Sequence, residues 1–325
     1  MDIAGWLIPS WLAGGMIMVK SNALTRPMSK VKAMASNKHK AGTTQQRGRQ
    51  TAQARMLQVL GVLDCLISAG AARGDPTFIH NFRVASRRAH EVLHVGMLAL
   101  VPSQRKALRH MVKKLKELRR AAGRVRDLDV LAENLTKLPT AQEPTHMTGQ
   151  GAGRKRAIQR LCKNIYSFAA DGRLKQVAGQ IRQLPESHLI AKLNTRIERN
   201  HQSFSTLATT ALAKPTDRHT HKLRIAGKRL RYALELLPRH TGRLTAALQA
   251  LKTLQDTLGQ RHDLEILRGH LHHLKRTTPS ARAGLRQKQW KQMLHKTDDR
   301  IASLVQSFAA NPSLRDLMTA SARHF

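Results

Sequence analysis

Residues 75–100 read DPTFIHNFRVASRRAHEVLHVGMLAL. Asp75 followed by Pro76 marks a helix start. The carboxylate can accept from an unpaired first-turn amide, and the proline ring suits the first helical position. Phe78, Phe82, Ala85, Ala89, Val92 and Leu93 recur at helical spacing and form an apolar stripe. His80, Arg83, Arg87, His90 and His94 recur at steps of three and four on the other side, with Arg88 at the edge of their arc. The pattern predicts an amphipathic helix with one buried face and one basic face.

The basic stripe occurs twice. His221, Arg224, Lys228 and Arg231 stand 141 positions after His80, Arg83, Arg87 and His90, and Arg229 stands in the same relation to Arg88. A second shared segment follows each copy. GRVRDLDVL at 123–131 and GQRHDLEIL at 259–267 lie 136 positions apart. Two motifs in the same order at nearly the same offset predict an internal duplication. With no strand-like alternation, the expected fold is all-α, built from two helical-bundle halves related by a pseudo-two-fold axis. The halves are expected at about 51–185 and about 186–325.

These residues resemble the CHAD family, the conserved histidine α-helical domains. The motif H-x-x-R-[VI]-x-x-[RK]-[RK] is present as His80, Arg83, Val84, Arg87 and Arg88, and again as His221, Arg224, Ile225, Lys228 and Arg229. An RDLDVL-like segment follows as Arg126 to Leu131, and more loosely as His262, Asp263 and Leu264. The resemblance covers roughly residues 51–325. It implies two helical subdomains around a basic surface that binds inorganic polyphosphate.

Composition points the same way. The chain holds 57 Lys and Arg against 20 Asp and Glu, a net charge of +37, more than solubility requires. The partner should be a polyanion: polyphosphate, or nucleic acid bound without sequence preference. A membrane partner is not expected. Aromatic residues make up only 3 %, so a base-stacking platform is not expected either. Cys65 and Cys162 each lie in an apolar-periodic segment and read as buried, reduced thiols. The expected location is the cytoplasm, in association with polyphosphate granules.

Residues 1–19 are apolar but interrupted by Pro9, Gly14 and Gly15, and Lys20 to Gln50 is basic and poor in large apolar residues. Residues 1–50 therefore read as a disordered extension. A membrane or export segment, and an upstream extension with initiation at Met28 or Met34, are both open for its first part. Helices are expected from Thr51 onward, with Gly123 ending the third and a fourth running from about Arg126 to Leu138. The stretch 136–153 reads as a long loop. The third helix carries its own basic stripe, Lys106, Arg109, Lys113, Lys116 and Arg120, of which the second half keeps Lys252.

Phosphate needs donors without competing acceptors. Arginine presents a planar fork of N–H groups and lysine a compact charge. Residues three and four apart form a ladder along a helix, which suits a flexible chain of phosphates. The candidate binding residues are His80, Arg83, Arg87, Arg88, His90, His94, Lys106, Arg109, Lys113, Lys116, Arg120, Arg126, His221, Arg224, Lys228, Arg229, Arg231 and Lys252. Asp127, Asp129, Asp263 and Glu265 follow a helix-ending glycine and read as caps of the next helix, with a magnesium site as the alternative. No P-loop, G-x-S-x-G or H-E-x-x-H motif is present. The expectation is binding without catalysis, cofactor or metal. A metal-dependent phosphohydrolase and a nucleic-acid-binding protein are the rivals.

Overall fold

The computed structural model describes residues 50–69, 74–136, 148–238, 241–277 and 283–319. The expected N-terminal extension lies outside them. Among the described residues the chain forms ten α-helices and no strand. They are α1 (Ala52–Ala69), α2 (Pro76–Ala99), α3 (Arg105–Thr136), α4 (Thr148–Ala169), α5 (Arg173–Arg182), α6 (Glu186–Ala213), α7 (Asp217–Leu234), α8 (Gly242–Thr277), α9 (Ala283–Ala309) and α10 (Pro312–Thr319).

The organising helix α2 starts where its chemistry dictates. Asp75 is extended, and its carboxylate accepts from the Phe78 amide at 3.1 Å. The residue before it, Gly74, has φ +53, and a Cβ there would lie 2.8 Å from Ile158 Cδ1 of α4. The positive φ favours glycine. Its counterpart α7 begins with Thr216, whose hydroxyl accepts from the His219 amide at 3.3 Å. Ile79, Phe82, Ala89, Val92 and Leu93 of α2 are fully buried. So are Leu223, Leu230, Ala233 and Leu234 of α7.

In the first half α2 packs on α1 and α3, and α3 on α4. In the second half α7 packs on α6 and α8, and α8 on α9, in the same order. The halves meet where α2 lies against α6 and α7, and α3 against α8. One apolar core runs through both, from Met56 and Leu60 to Leu251 and Leu254, and a smaller cluster around Leu267 and Leu271 joins α8 to α9.

Four sequence expectations are corrected here. Gly123 does not end a helix: α3 runs unbroken for 32 residues and α8 for 36. Glycine inside a helix costs only about 1 kcal/mol. At Gly123 a Cβ would stand 3.2 Å from Arg83 Nη1, so the gap admits a guanidinium from α2. Asp127, Asp129, Asp263 and Glu265 are consequently mid-helix and cap nothing. Asp129 instead accepts from Arg154 Nε of α4 at 2.5 Å, while Arg154 Nη2 reaches the Gly74 carbonyl at 2.5 Å. Glu265 ion-pairs with Arg261 at 3.1 Å. The expected loop is also shorter, because residues 148–153 already belong to α4; residues 137–147 lie outside the described residues. Finally, Cys65 and Cys162 are half-buried, not fully buried.

Two polar devices tie the halves together. The Glu186 carboxylate, at the start of α6, accepts from the Ala52 amide at 2.6 Å and the Gln53 amide at 3.0 Å, capping α1 from 134 and 133 residues away. Glu91 of α2 is buried, and its Oε2 accepts from Arg196 Nε at 2.9 Å and Arg196 Nη2 at 2.8 Å. Asn200 Nδ2 donates to the same oxygen at 3.3 Å, and His90 Nδ1 lies 3.4 Å from Oε1.

Phe82→Ala should lower stability by about 3–5 kcal/mol in urea unfolding, through loss of a fully buried ring. Glu91→Gln should also cost about 3–5 kcal/mol, because it strands the Arg196 guanidinium. Burial alone would raise the Glu91 carboxyl, but His90 and Arg196 outweigh it and hold it at about 2 against an ordinary 4.5. The unfolded chain therefore binds more protons at this group. Its stabilisation is present above about pH 4.5 and lost as pH falls toward 2. Unfolding of Glu91→Gln against pH should lack that part of the acid limb.

Candidate functional site

The two basic stripes do not face open solvent. They face each other where α2 crosses α7, with α3 and α8 on the flanks. Arg83 and Arg87 come from α2, Arg224 and Lys228 from α7, and all four are at least half-buried. His80 and His221, one turn earlier on each helix, are exposed at the rim. The stripe residues therefore occupy the interface that the apolar faces leave between the halves.

The charge balance here is unusual for a protein interior. Lys228 is pushed down to about 6 from 10.5, first by burial and then by repulsion from Arg87, Arg224 and Arg83. Arg83 is lowered to about 10 by burial and by Arg87. Burial, with Arg87, also lowers Arg224. Among the described residues, the carboxylates that oppose them are Asp127 of α3 and Asp263 and Glu265 of α8, and Glu265 is already paired with Arg261. Asp263 is itself raised by its own burial. Buried cations in natural proteins are paired or hydrogen-bonded. Among the described residues, however, the buried Arg224 Nε meets no acceptor. Arg83 Nη1 reaches the Ala122 carbonyl at 3.4 Å, a weak contact.

From α3 the site takes residues that the periodic stripe did not single out. Arg119 is half-buried and lowered to about 10 by burial, with Arg87, Arg229 and Arg120 repelling it and Glu91 attracting it. Arg126, two turns on, repels His80. Lys106, Arg109, Lys113, Lys116 and Arg120 are all exposed, on the side of α3 turned away from Leu108, Met111, Leu115 and Leu118. Lys252 is likewise exposed on α8. Apart from Arg120, which stands near Arg119, nothing brings these lysines and arginines to the α2–α7 crossing. Arg119 was discoverable, since it sits seven residues before Arg126 and four before Gly123.

The histidines divide. His90 and His94 stack edge-to-face with centroids 4.5 Å apart, His90 buried and His94 half-buried. Burial, then Arg196 and His90, depress His94 to about 3, so it is neutral at pH 7. Burial also lowers His90, against its contact with Glu91. His221 pairs with His262 of α8 at 5.1 Å, and both burial and His262 lower it. Burial comes first for His80 too, followed by Arg126. Neighbouring like charge adds to each of these shifts. Desolvation is the larger cause.

At the far end of the second half the stripe is neutralised. Glu235, which stands where the first half has His94, accepts from Arg231 Nε at 2.9 Å and Arg88 Nε at 2.8 Å. Arg231 Nη1 also donates to Gln255 Oε1 at 2.9 Å. Arg88 and Arg231 both lie over the buried Tyr232 ring, at 5.8 and 5.6 Å. Arg229, the counterpart of Arg88, is exposed and near His90, His94 and Arg119. Among the described residues no three His, Cys, Asp or Glu side chains group as a metal site. The arrangement is a recessed set of hydrogen-bond donors carrying excess positive charge, which suits an anion with several acceptor oxygens.

A family model described as CHAD domain matches residues 54–272. That span covers both stripe helices and both acidic segments. The crystal structure of the CHAD domain from the plant Ricinus communis has a similar fold, with a TM-score of 0.54 at 20 % identity. The match covers 86 % of this chain and 93 % of that one. Among curated proteins no match is found. The sequence match places the paired His/Arg helices within one known family, and the fold agrees: this chain belongs to the CHAD domain family.

Proposed function

We propose that this protein binds inorganic polyphosphate between its two halves, without catalysis. The observation that carries the reading is the cluster of Arg83, Arg87, Arg224 and Lys228, packed together with too few carboxylates nearby, Asp127, Asp263 and the already paired Glu265, to balance it. Such a cluster costs stability in the free protein and is offset when an anion fills it. Polyphosphate presents one charge on each internal unit and many acceptor oxygens. Arg119 and Arg126 extend the cluster along α3, while His80 and His221 supply neutral donors at its rim. On this reading the halves are products of a duplication, and the site is the seam between them. The cytoplasm, and polyphosphate granules in particular, is the setting that fits it.

Nucleic acid fits less well. The cations are recessed where α2 crosses α7, and the nearby aromatic ring, Tyr232, is buried beneath Arg88 and Arg231 and offers no face for base stacking. The deciding experiment is competition of polyphosphate against single-stranded DNA and RNA of matched charge at physiological salt. The reading expects polyphosphate to win. Preference for nucleic acid would overturn it. Release of orthophosphate from polyphosphate with magnesium would show instead that the protein is an enzyme.

Lys228→Met should move stability and binding in opposite directions. It removes an amine that burial and three arginines hold far below its ordinary pKa, and keeps an apolar stem of similar length. The free protein should gain about 1 kcal/mol in thermal unfolding, while polyphosphate affinity falls about tenfold, the loss of one strong charged contact. A variant that loses stability and keeps its affinity would place Lys228 in the scaffold.

Binding should also take up protons. With its native value near 6, Lys228 is mostly neutral at pH 8 in the free protein. A bound polyanion reverses the local field and restores the charge, and it acts on His80 and His221 in the same direction. Affinity should therefore tighten as pH falls from about 8 to about 6. Isothermal titration in two buffers of different ionisation enthalpy should register the uptake, and Lys228→Met should reduce it. A buffer-independent enthalpy would contradict the scheme.

A further inference from the structure

The two ends of the cation track are built differently. At the first-half end, His94 and Arg119 lie beside Arg229, and the adjacent carboxylate Glu91 is already held by Arg196 at 2.8 Å. That end offers cationic and neutral donors. At the second-half end, Glu235 takes the place of His94 and holds Arg88 and Arg231 by their Nε atoms. Gln255, the counterpart of Arg119, accepts a further N–H from Arg231. The Glu235 backbone carbonyl is engaged as well, by Arg55 Nη1 of α1 at 3.2 Å. Two arginines that would continue the track, one from each half, thus spend donors on an internal carboxylate.

We infer that Glu235 is a stopper: it closes the second-half end of the track, so that a bound polyanion extends past His94, Arg119 and Arg229 and not past Arg88 and Arg231. The inference rests on the polyphosphate reading above and adds a direction and a length limit to it. A phosphate chain advancing toward Arg88 and Arg231 meets the Glu235 carboxylate and must break two ion pairs before gaining either guanidinium. At the other end it meets Arg229 and Arg119 with no such exchange. The number of phosphates engaged is then set by the protein, whatever the length of the polymer.

The test is the slope of log affinity against log salt for a long-chain polyphosphate, measured for the wild type, Glu235→Gln, Arg88→Gln, Arg119→Gln and the Arg88→Gln/Glu235→Gln double variant. Each phosphate neutralised contributes about −0.7 to that slope. Glu235→Gln should steepen it by about 0.7–1.4 and raise affinity roughly three- to tenfold. Adding Arg88→Gln should remove about half of that steepening, whereas Arg88→Gln alone should leave the slope unchanged. Arg119→Gln alone should flatten it by about 0.7. A folded Glu235→Gln with the wild-type slope would overturn the stopper. So would an Arg88→Gln that flattens the slope as much as Arg119→Gln does, a comparison that holds even where Glu235→Gln fails to fold. If the wild type itself binds no polyphosphate, the functional reading falls and the stopper with it. If the wild type binds and only the Glu235 comparison fails, the stopper alone is lost.

Discussion

The buried Glu91 carboxylate makes the rest of the site possible. Two like charges 4 Å apart repel by about 4 kcal/mol at the effective dielectric of a partly buried site. The crossing of α2 and α7 gathers Arg83, Arg87, Arg224 and Lys228, so the halves are driven apart there. Glu91 acts in the opposite sense. It sits on α2 and is bonded to Arg196 and Asn200 of α6, and Asn200 also donates to the Arg229 carbonyl of α7 at 3.3 Å. The attraction is thus placed one turn from the repulsion, on the same helix. Apolar packing of Phe82, Leu93, Phe204 and Leu230 supplies the bulk of the burial that holds the assembly. The cluster survives because it is a local exception in an otherwise well-packed interior, and Lys228 relieves part of the strain by giving up its proton.

This arrangement trades stability for affinity in a way that can be read group by group. A solvated basic face would cost the free protein little and would bind loosely, since water competes for each donor. The recessed cations have already lost much of their hydration, so an anion that reaches them loses less of its gain to desolvation. The exposed Lys106 stripe on α3 is the contrasting case within the same chain. Its charges are hydrated and screened, and they act on a polyanion at long range.

Much of the architecture was legible from local pattern. The Asp75–Pro76 start, the apolar stripe of α2 and the second appearance of its basic residues each depend on spacing within a few turns. Gly123 misled because a glycine after a helical run commonly marks its end, and its actual role depends on Arg83, forty positions away. The α3 stripe misled for a related reason. Periodicity selects the face most opposed to the core, whereas the residues that join the site, Arg119 and Arg126, flank the apolar face and reach it sideways. The partnership of Glu91 with Arg196 spans 105 residues, and no local rule connects them. Nor does any local pattern disclose that Glu235 occupies two arginines, because one of them comes from the other half.

The cap that Glu186 places on α1 carries a consequence for the order of events during synthesis. The Ala52 and Gln53 amides emerge 134 and 133 residues ahead of the carboxylate that receives them. At roughly 5–20 residues per second, the ribosome supplies that partner on the order of ten seconds later. Through that interval α1 has no side-chain acceptor from α6 at its first turn, and its apolar residues lack the surface of α6 against which they finally pack. The first half therefore waits on the second, and the seam between them can close only as a late step.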